Sequence, residues 1–243
     1  MTALAIFIFT TILLGAITLW KRRSPARLRE IPAFTKLVRA LGLSIEDGKR
    51  LHLALGHGSL LDARGGSAFA ALALLRKIAG RTSSSDMPAV ASAGDPVIGL
   101  LAQDTIQSAY KEAGVDELYE PTSGRITGLT PFSYAAGAMH IVENEHVSTN
   151  IMIGHFGPEV GLLTDKSDRA NATLIGASDN FAGQSILFTS AQEPLIGEEL
   201  FAAAAYLDSA PSHTASLTVQ DILRWLVILA LLGGAAAKFA RLF

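Results

Sequence analysis

The sequence predicts an α/β domain with a mainly parallel sheet, flanked by a transmembrane helix on each side. Strand-like and helix-like patterns alternate through the middle of the chain, and apolar segments lie near both ends. Of the 243 residues 49% are hydrophobic but only 7% are aromatic, so the excess is aliphatic. This composition is rare in a protein that is wholly surrounded by water.

Residues 2–20 form the first predicted transmembrane helix, because they carry no charge and extend roughly 29 Å as a helix. A cleaved signal peptide is the competing interpretation, but it needs a basic residue before the apolar run. Nothing basic precedes this run, and Lys21, Arg22 and Arg23 follow it directly. We therefore expect a retained membrane anchor.

Residues 222–239 form the second predicted transmembrane helix, although the uncharged stretch Trp225–Ala237 is shorter. The segment crosses a bilayer if the side chains of Arg224 and Lys238 carry their charges to opposite interfaces. An interfacial helix or a core helix is the alternative.

The charges of the chain are divided between two regions. Residues 21–39 hold seven Lys or Arg against Glu30, whereas residues 40–220 hold ten Lys or Arg against twenty Asp or Glu. The basic region predicts contact with anionic lipid headgroups and places the central domain in the cytoplasm, at the cell inner (plasma) membrane. The acidic domain repels phosphates, so we expect no nucleic-acid partner.

The basic segment, residues 21–43, is also amphipathic. Its apolar residues recur at spacings of three and four from Leu28 to Leu43, interrupted by Pro32. Gly42 is typical of a helix end. The segment could lie on the headgroups or dock on the domain, and the sequence favours neither.

The α/β domain is predicted over residues 44–217. Asp95 and Pro96 supply a helix start and Gly114 a helix end, while Glu120–Gly128 is rich in turn residues. The predicted strands are Arg50–Leu55, Pro88–Ala93, Thr149–Ile153, Thr173–Ala177 and Ser185–Thr189. The predicted helices are Ser67–Ile78, closed by Gly80, then Pro96–Ala113, Phe132–Glu143 and Gly197–Leu207.

Several classes of chemistry are excluded by residues that the sequence lacks. It contains no cysteine, so disulfides, thiolate metal sites and a cysteine nucleophile are excluded. The six histidines show no metal-ligand spacing, and Ser178 does not lie in a Gly-x-Ser-x-Gly elbow. We therefore predict no cofactor-binding and no metal-binding residues. His52, inside an apolar strand, is interpreted as structural.

The turns after the predicted strands are the best places for a catalytic site, because α/β folds bind ligands there. His57 lies in Gly56–Ser59, which matches neither the dinucleotide fingerprint nor the phosphate-binding loop. His155 and Glu159, close together in GHFGPE, could relay a proton or hold a divalent ion with a third ligand. Asp179 follows another predicted strand and is the fourth candidate.

Each candidate also has a structural explanation. The glycines beside His57 fit an ordinary turn, and a carboxylate such as Glu159 is favourable in a first helical turn. Asp179 is a common turn residue. The acidic pair Glu198 and Glu199 resembles a helix start and needs no chemical role.

Four motifs, in the order RLHLALGHG, SSSDMPAVASAGDP, GHFGPEVGLL and LIGEELFAAAAYL, lie between the two apolar segments. Together they resemble a family of bacterial membrane proteins known as a domain of unknown function. The resemblance covers about residues 45–230. It implies a bacterial, membrane-bound setting and brings no activity or catalytic residue.

Two functions follow from these observations. The absence of a chemical motif and the small-residue faces at Gly233–Ala237 and Ala202–Ala205 favour a scaffold or assembly subunit. Such a subunit would self-associate or bind other members of a membrane complex. The alternative is a membrane-tethered enzyme or small-ligand sensor with its site at the strand-end turns.

Overall fold

The computed structural model describes residues 2–21, 28–60, 65–207 and 211–240. The chain forms two compact units. One unit covers residues 30–207, and the other combines residues 1–29 with residues 208–243.

The first unit is an α/β fold with a six-stranded, fully parallel sheet, as predicted. The strands are β1 Arg50–Gly56, β2 Val90–Ala93, β3 Gly124–Ile126, β4 Val147–His155, β5 Thr173–Ser178 and β6 Glu193–Pro194. The helices of this unit are α2 Pro32–Glu46, α3 Gly65–Thr82, α4 Pro96–Ala113, α5 Pro131–Asn144, α6 Val160–Arg169, α7 Phe181–Ser190 and α8 Glu199–Leu207. Short 3₁₀ turns cover Asp116–Leu118 and Pro121–Ser123.

The strand order is β3-β2-β1-β4-β5-β6. From β1 the chain winds outward through β2 to β3, then returns through α5 to β4 on the other side of β1. The connections after β1 and β4 therefore leave in opposite directions and open a crevice at the carboxyl ends of these strands. Open parallel sheets bind their ligands at such a topological switch point.

Two helical layers cover the sheet. In one layer α5, α6 and α7 pack on β1, β4 and β5, and in the other α3 packs against α4 and α8. The central strands β1 and β4 are buried along nearly their whole length. Strands that are covered on both faces need apolar side chains on both, which explains their nearly continuous apolar sequences.

The structure corrects several predicted elements. The predicted strand Ser185–Thr189 is wrong, because these residues belong to α7. The Asn180 side chain accepts a hydrogen bond from the backbone N–H of Ala182, 2.9 Å away, and starts this helix. The short edge strands β3 and β6 were not predicted, and β3 lies within the stretch interpreted as turns. Helix α3 also continues past Gly80 to Thr82.

The amphipathic segment after the N-terminal helix docks on the α/β unit. Its helix, α2, begins at Pro32, which fits the first turn of a helix, and continues past Gly42. Phe34, Leu37 and Leu41 are buried against the unit. The contact with lipid headgroups predicted for residues 21–39 depends partly on Arg22, Arg23 and Arg27, which lie outside the described residues.

The second unit pairs helix α1, Thr2–Lys21, with helix α9, Pro211–Ala240. Ile17 of α1 packs against Ala215 and Val219 of α9. Among the described residues one helix, Ser212–Phe239, is long and apolar enough to cross a membrane, with a mean hydropathy of 1.8. The segment Ile6–Lys21 is a shorter apolar helix.

This result reverses the ranking that the sequence gave to the two apolar segments. The sequence limits the second segment to its uncharged stretch, whereas the structure extends it into one continuous helix. Arg224 does not interrupt this helix and lies 3.6 Å from Asp221, one turn away. The orientation of both helices in a membrane stays a prediction.

Candidate functional site

Two histidines meet at the switch point of the sheet. His57 directly follows β1, and His155 is the last residue of the neighbouring strand β4. The backbone N–H of His57 donates to the carbonyl oxygen of His155 over 3.0 Å. The two turns therefore lie side by side at the carboxyl edge.

Glycines allow these turns to approach so closely. Gly56 has a φ of +73°, and a Cβ at this position would lie 2.3 Å from the carbonyl oxygen of His155. A Cβ at Gly94, in the turn after β2, would lie 2.7 Å from the Cβ of His57. Any larger residue would push the strand-end turns apart.

His57 is held by a buried carboxylate. Its Nε2–H donates to Oε1 of Glu159 over 2.8 Å, and the same oxygen accepts the backbone N–H of Gly157 over 2.7 Å. The Glu159 residue is only 1% exposed. Burial raises the pKa of this carboxyl, but the hydrogen bonds from His57 and Gly157 outweigh burial and leave the pKa below its ordinary value. Glu159 is therefore ionised at neutral pH.

His155 is held in the same way by a second carboxylate. Its Nδ1–H donates to Oδ1 of Asp179, which lies 2.6 Å away in the turn after β5. The side chain of His155 is 9% exposed and that of Asp179 is 22% exposed. This pair lies closer to solvent than Glu159 does.

The rings of His57 and His155 touch edge to face. Their centroids are 5.2 Å apart, and the ring planes are 87° from parallel. Because a carboxylate can only accept hydrogen bonds, each neutral ring places its proton on the nitrogen that faces its carboxylate. The lone pairs then lie on Nδ1 of His57 and Nε2 of His155. Neither nitrogen has a hydrogen-bond partner among the described residues.

The structure thus brings together all four candidates from the sequence, His57, His155, Glu159 and Asp179. The pairing differs from the prediction, which placed His155 with Glu159 because they are neighbours along the chain. In the fold Glu159 turns back toward β1 and binds His57, so that His155 takes Asp179 from the next strand along.

Tyr134 on α5 supports the site from below, and the sequence analysis missed it. Its ring is fully buried near Phe156, with ring centroids 6.2 Å apart. Its hydroxyl oxygen accepts the backbone N–H of Gly56 over 3.2 Å. Burial raises the pKa of this phenol, so it stays neutral. In the sequence Tyr134 is one more apolar residue of a helix, which gives no signal of this role.

A buried chain of hydrogen bonds continues from Tyr134 into the middle of the sheet. The Tyr134 hydroxyl lies 3.3 Å from Oγ of Ser92, which lies 2.8 Å from Nε2 of His52. Nδ1 of His52 lies 2.8 Å from Oδ1 of Asn150, whose amide nitrogen donates to Ser167 over 2.8 Å. Every ring nitrogen of His52 is therefore satisfied, which agrees with its structural interpretation.

The other polar residues singled out by sequence have structural roles. Oγ of Ser178 donates to the carbonyl oxygen of Phe156 over 3.0 Å and accepts two backbone N–H groups, so it is not a free nucleophile. Oε2 of Glu199 accepts the backbone N–H of Ile196 over 3.0 Å at the start of α8. Both arrangements fix local backbone conformation.

The charge at the carboxyl edge is strongly negative. The described strand-end turns hold five carboxylates and no Lys or Arg. These turns cover residues 57–60, 94–97, 127–133, 156–162, 179–184 and 195–199, and their acidic residues are Asp95, Glu159, Asp179, Glu198 and Glu199. Such an edge attracts cations and repels phosphate groups.

Two further observations limit the chemistry. No group of three or more His, Asp or Glu side chains among the described residues is arranged to hold a metal ion. An open groove of about 660 Å³ lies at the opposite, amino edge of the sheet, where Lys49, His146 and Asn171 contribute to its lining. The groove contains none of the four candidates, and it lies at the edge where parallel sheets rarely bind ligands.

The chain belongs to the family described as a domain of unknown function (DUF6754), whose model matches residues 1–242. This match confirms the resemblance to a family of unknown function, while its bacterial, membrane-bound setting stays a prediction. No curated protein and no solved structure matches the chain.

Proposed function

We propose that the α/β unit of this family member binds a small ligand at the crevice around His57 and His155, and that the chain is a membrane-tethered enzyme or sensor. One observation carries the proposal. Two imidazoles, each oriented by its own carboxylate, meet at the topological switch point, and each keeps one nitrogen without a protein partner.

The alternative explanation is that the two pairs only hold the turns together. That explanation accounts for the nitrogens that face Glu159 and Asp179, but not for the other two. A purely structural histidine in this protein looks different, because His52 uses both ring nitrogens inside the sheet. A free, basic imidazole nitrogen that a carboxylate orients can accept a proton or bind an electrophile.

Thermal-shift screening of the full-length protein in detergent tests this proposal. The screen covers nucleotides, acyl compounds, amines and divalent ions, because a ligand that binds only the folded state raises the melting temperature. We expect a shift that disappears in His57→Gln and His155→Gln but remains in His140→Gln, an exposed histidine outside the site. A shift that survives both site substitutions would place the ligand elsewhere and contradict the proposal.

A second function, a self-associating scaffold or assembly subunit of a membrane complex, is favoured by helix α9. Its exposed apolar side chains include Trp225, Leu226, Val227, Leu229, Leu231 and Leu232. In a bilayer these residues contact lipid or another helix, and the adjacent Gly233 and Gly234 allow close helix packing. A molar mass in detergent that stays monomeric at all protein concentrations would count against this function.

The setting that we propose for both functions is the bacterial inner membrane, with the α/β unit in the cytoplasm. It is supported by the apolar helix Ser212–Phe239 and by the basic residues in 21–39. Extraction of the full-length chain from membranes by alkaline carbonate would contradict the anchor. Protease digestion of the α/β unit in intact cells would contradict the orientation.

A further inference from the structure

We infer that His57 and His155 bind one divalent transition-metal ion of the zinc class, with Glu159 and Asp179 as the outer partners of the two imidazoles. The inference rests on the proposed function in that it names the chemistry of the same crevice. It uses Nδ1 of His57 and Nε2 of His155, the two nitrogens that have no partner among the described residues.

The first argument is the pattern of hydrogen bonds. A histidine that binds a metal ion through one nitrogen commonly donates its other N–H to a carboxylate, which fixes the ring and makes the ligand more basic. Both histidines of the crevice show this arrangement, at 2.8 Å to Glu159 and 2.6 Å to Asp179. Two such arrangements in contact with each other are not needed to hold the turns together.

The second argument is the distance between the rings. Two imidazoles on one tetrahedral zinc ion, each bonded at about 2 Å, hold their ring centroids about 5 Å apart. The centroids of His57 and His155 are 5.2 Å apart. The backbone that carries both rings is already fixed, because the backbone N–H of His57 donates to the carbonyl oxygen of His155.

The third argument is electrostatic, and it selects a cation over a phosphate-bearing ligand. A phosphate site in an α/β fold uses free backbone N–H groups at a helix start, often with a basic side chain. Here Asp95, Thr130 and Asn180 cap the helices after β2, β3 and β5 with their own side chains. The described turns hold five carboxylates and no Lys or Arg, so the local potential favours a positive ion.

The ion would keep open coordination positions. No third His, Asp or Glu among the described residues is placed to join the two imidazoles. Water or a substrate therefore fills the remaining positions, which is the arrangement of catalytic rather than structural zinc sites. Imidazole ligands suit zinc, copper and nickel, whereas magnesium and calcium prefer oxygen ligands.

Calorimetric titration of the metal-free, full-length protein with Zn²⁺ tests the inference, in detergent and without a polyhistidine tag. We expect one site per chain that His57→Ala and His155→Ala each abolish and that His140→Ala leaves intact. Glu159→Gln keeps both ligands but weakens the outer hydrogen bond, so zinc affinity should fall roughly 10- to 100-fold. Equal zinc affinity in wild-type protein and in either site variant would overturn the inference.

A second measurement keeps the inference falsifiable if the alanine variants do not fold. Cu²⁺ bound to the wild-type protein should show electron-paramagnetic-resonance couplings to two imidazole nitrogens, and a spectrum without them would overturn the inference. The result is separable from the proposed function. Small-molecule binding without zinc binding would sink the metal ion alone, whereas zinc binding without any small-molecule shift would sink the proposed function.

Discussion

The middle of the sheet and its carboxyl edge both hold buried histidines, but the two regions use them differently. In the middle, His52 is fully buried and both of its ring nitrogens are hydrogen-bonded, to Asn150 and Ser92. At the edge, His57 and His155 each bind one carboxylate and leave the other nitrogen without a partner among the described residues. The three side chains are chemically identical, so the difference lies in their surroundings.

This difference separates a structural histidine from a candidate functional one. A completely satisfied polar chain in a core adds specificity and tolerates no ligand, because every donor and acceptor is used. A partly satisfied histidine next to solvent costs little in stability and keeps a reactive nitrogen. Each of the following predictions tests one side of this contrast.

The largest effect is expected from His52→Ala. The substitution leaves Oδ1 of Asn150 and Oγ of Ser92 without their partner inside the sheet, and each buried unsatisfied group is costly. We expect the free energy of unfolding to fall by about 4 kcal/mol. Denaturant unfolding of the full-length protein measures this loss, with the exposed His140→Ala as the control. An equally small effect of both substitutions would show that the chain through His52 does not stabilise the sheet.

The next effect is a dependence of stability on pH. Burial lowers the pKa of His52 from 6.5 to about 4, although the hydrogen bond with Asn150 partly opposes this shift. As the pH falls from 6.5 toward 4, the unfolded chain binds a proton at this residue and the folded chain does not. Stability is therefore lost over that range, by about 3 kcal/mol from His52.

Unfolding measured at pH 7 and near pH 4.5 checks this prediction. His52→Gln should show a smaller loss between the two conditions, since glutamine does not titrate. If both proteins lose the same stability on acidification, His52 is not the group responsible.

A smaller effect is expected at the carboxyl edge from Gly56→Ala. Gly56 and Gly48 both have positive φ values, +73° and +61°. Gly48 has no atom near its missing Cβ, whereas a Cβ at Gly56 would lie 2.3 Å from the carbonyl oxygen of His155. Gly48→Ala should therefore cost about 1 kcal/mol for its backbone conformation alone.

The comparison of these two variants isolates the contact between the strand-end turns. We expect Gly56→Ala to cost about 2 kcal/mol more than Gly48→Ala, because β1 and β4 must shift apart. Denaturant unfolding gives both values, and ligand or zinc binding should weaken only in the Gly56 variant. Similar values for both variants would mean that the two turns are not held in close contact.

The smallest effect is expected from Tyr134→Phe, which connects the two regions. The variant keeps the ring but removes the hydroxyl that accepts the N–H of Gly56 and contacts Ser92. We expect a loss of about 1.5 kcal/mol in the free energy of unfolding. Hydrogen exchange should show faster exchange of the Gly56 amide, and unchanged exchange there would contradict the supporting role of Tyr134.

Local chemistry explains which elements were predictable. Oδ1 of Asp95 accepts the backbone N–H groups of Val97 and Ile98 over 2.9 and 3.1 Å, and Gly114 closes the same helix at a φ of +73°. Such caps are visible in sequence because their partners lie within a few residues. The wrong strand at Ser185–Thr189 has the opposite cause. Its short apolar run fits a strand as well as a buried helix, and only packing against β5 decides between them.

The sequence by itself determined that this is an α/β chain with apolar terminal segments, and that His57, His155, Glu159 and Asp179 follow strands. These properties depend on local patterns of burial, turns and caps. Only the tertiary structure decided that Glu159 pairs with His57, a partner 102 residues away. That pairing requires β4 to lie beside β1, and strand order depends on long-range packing that local patterns do not encode.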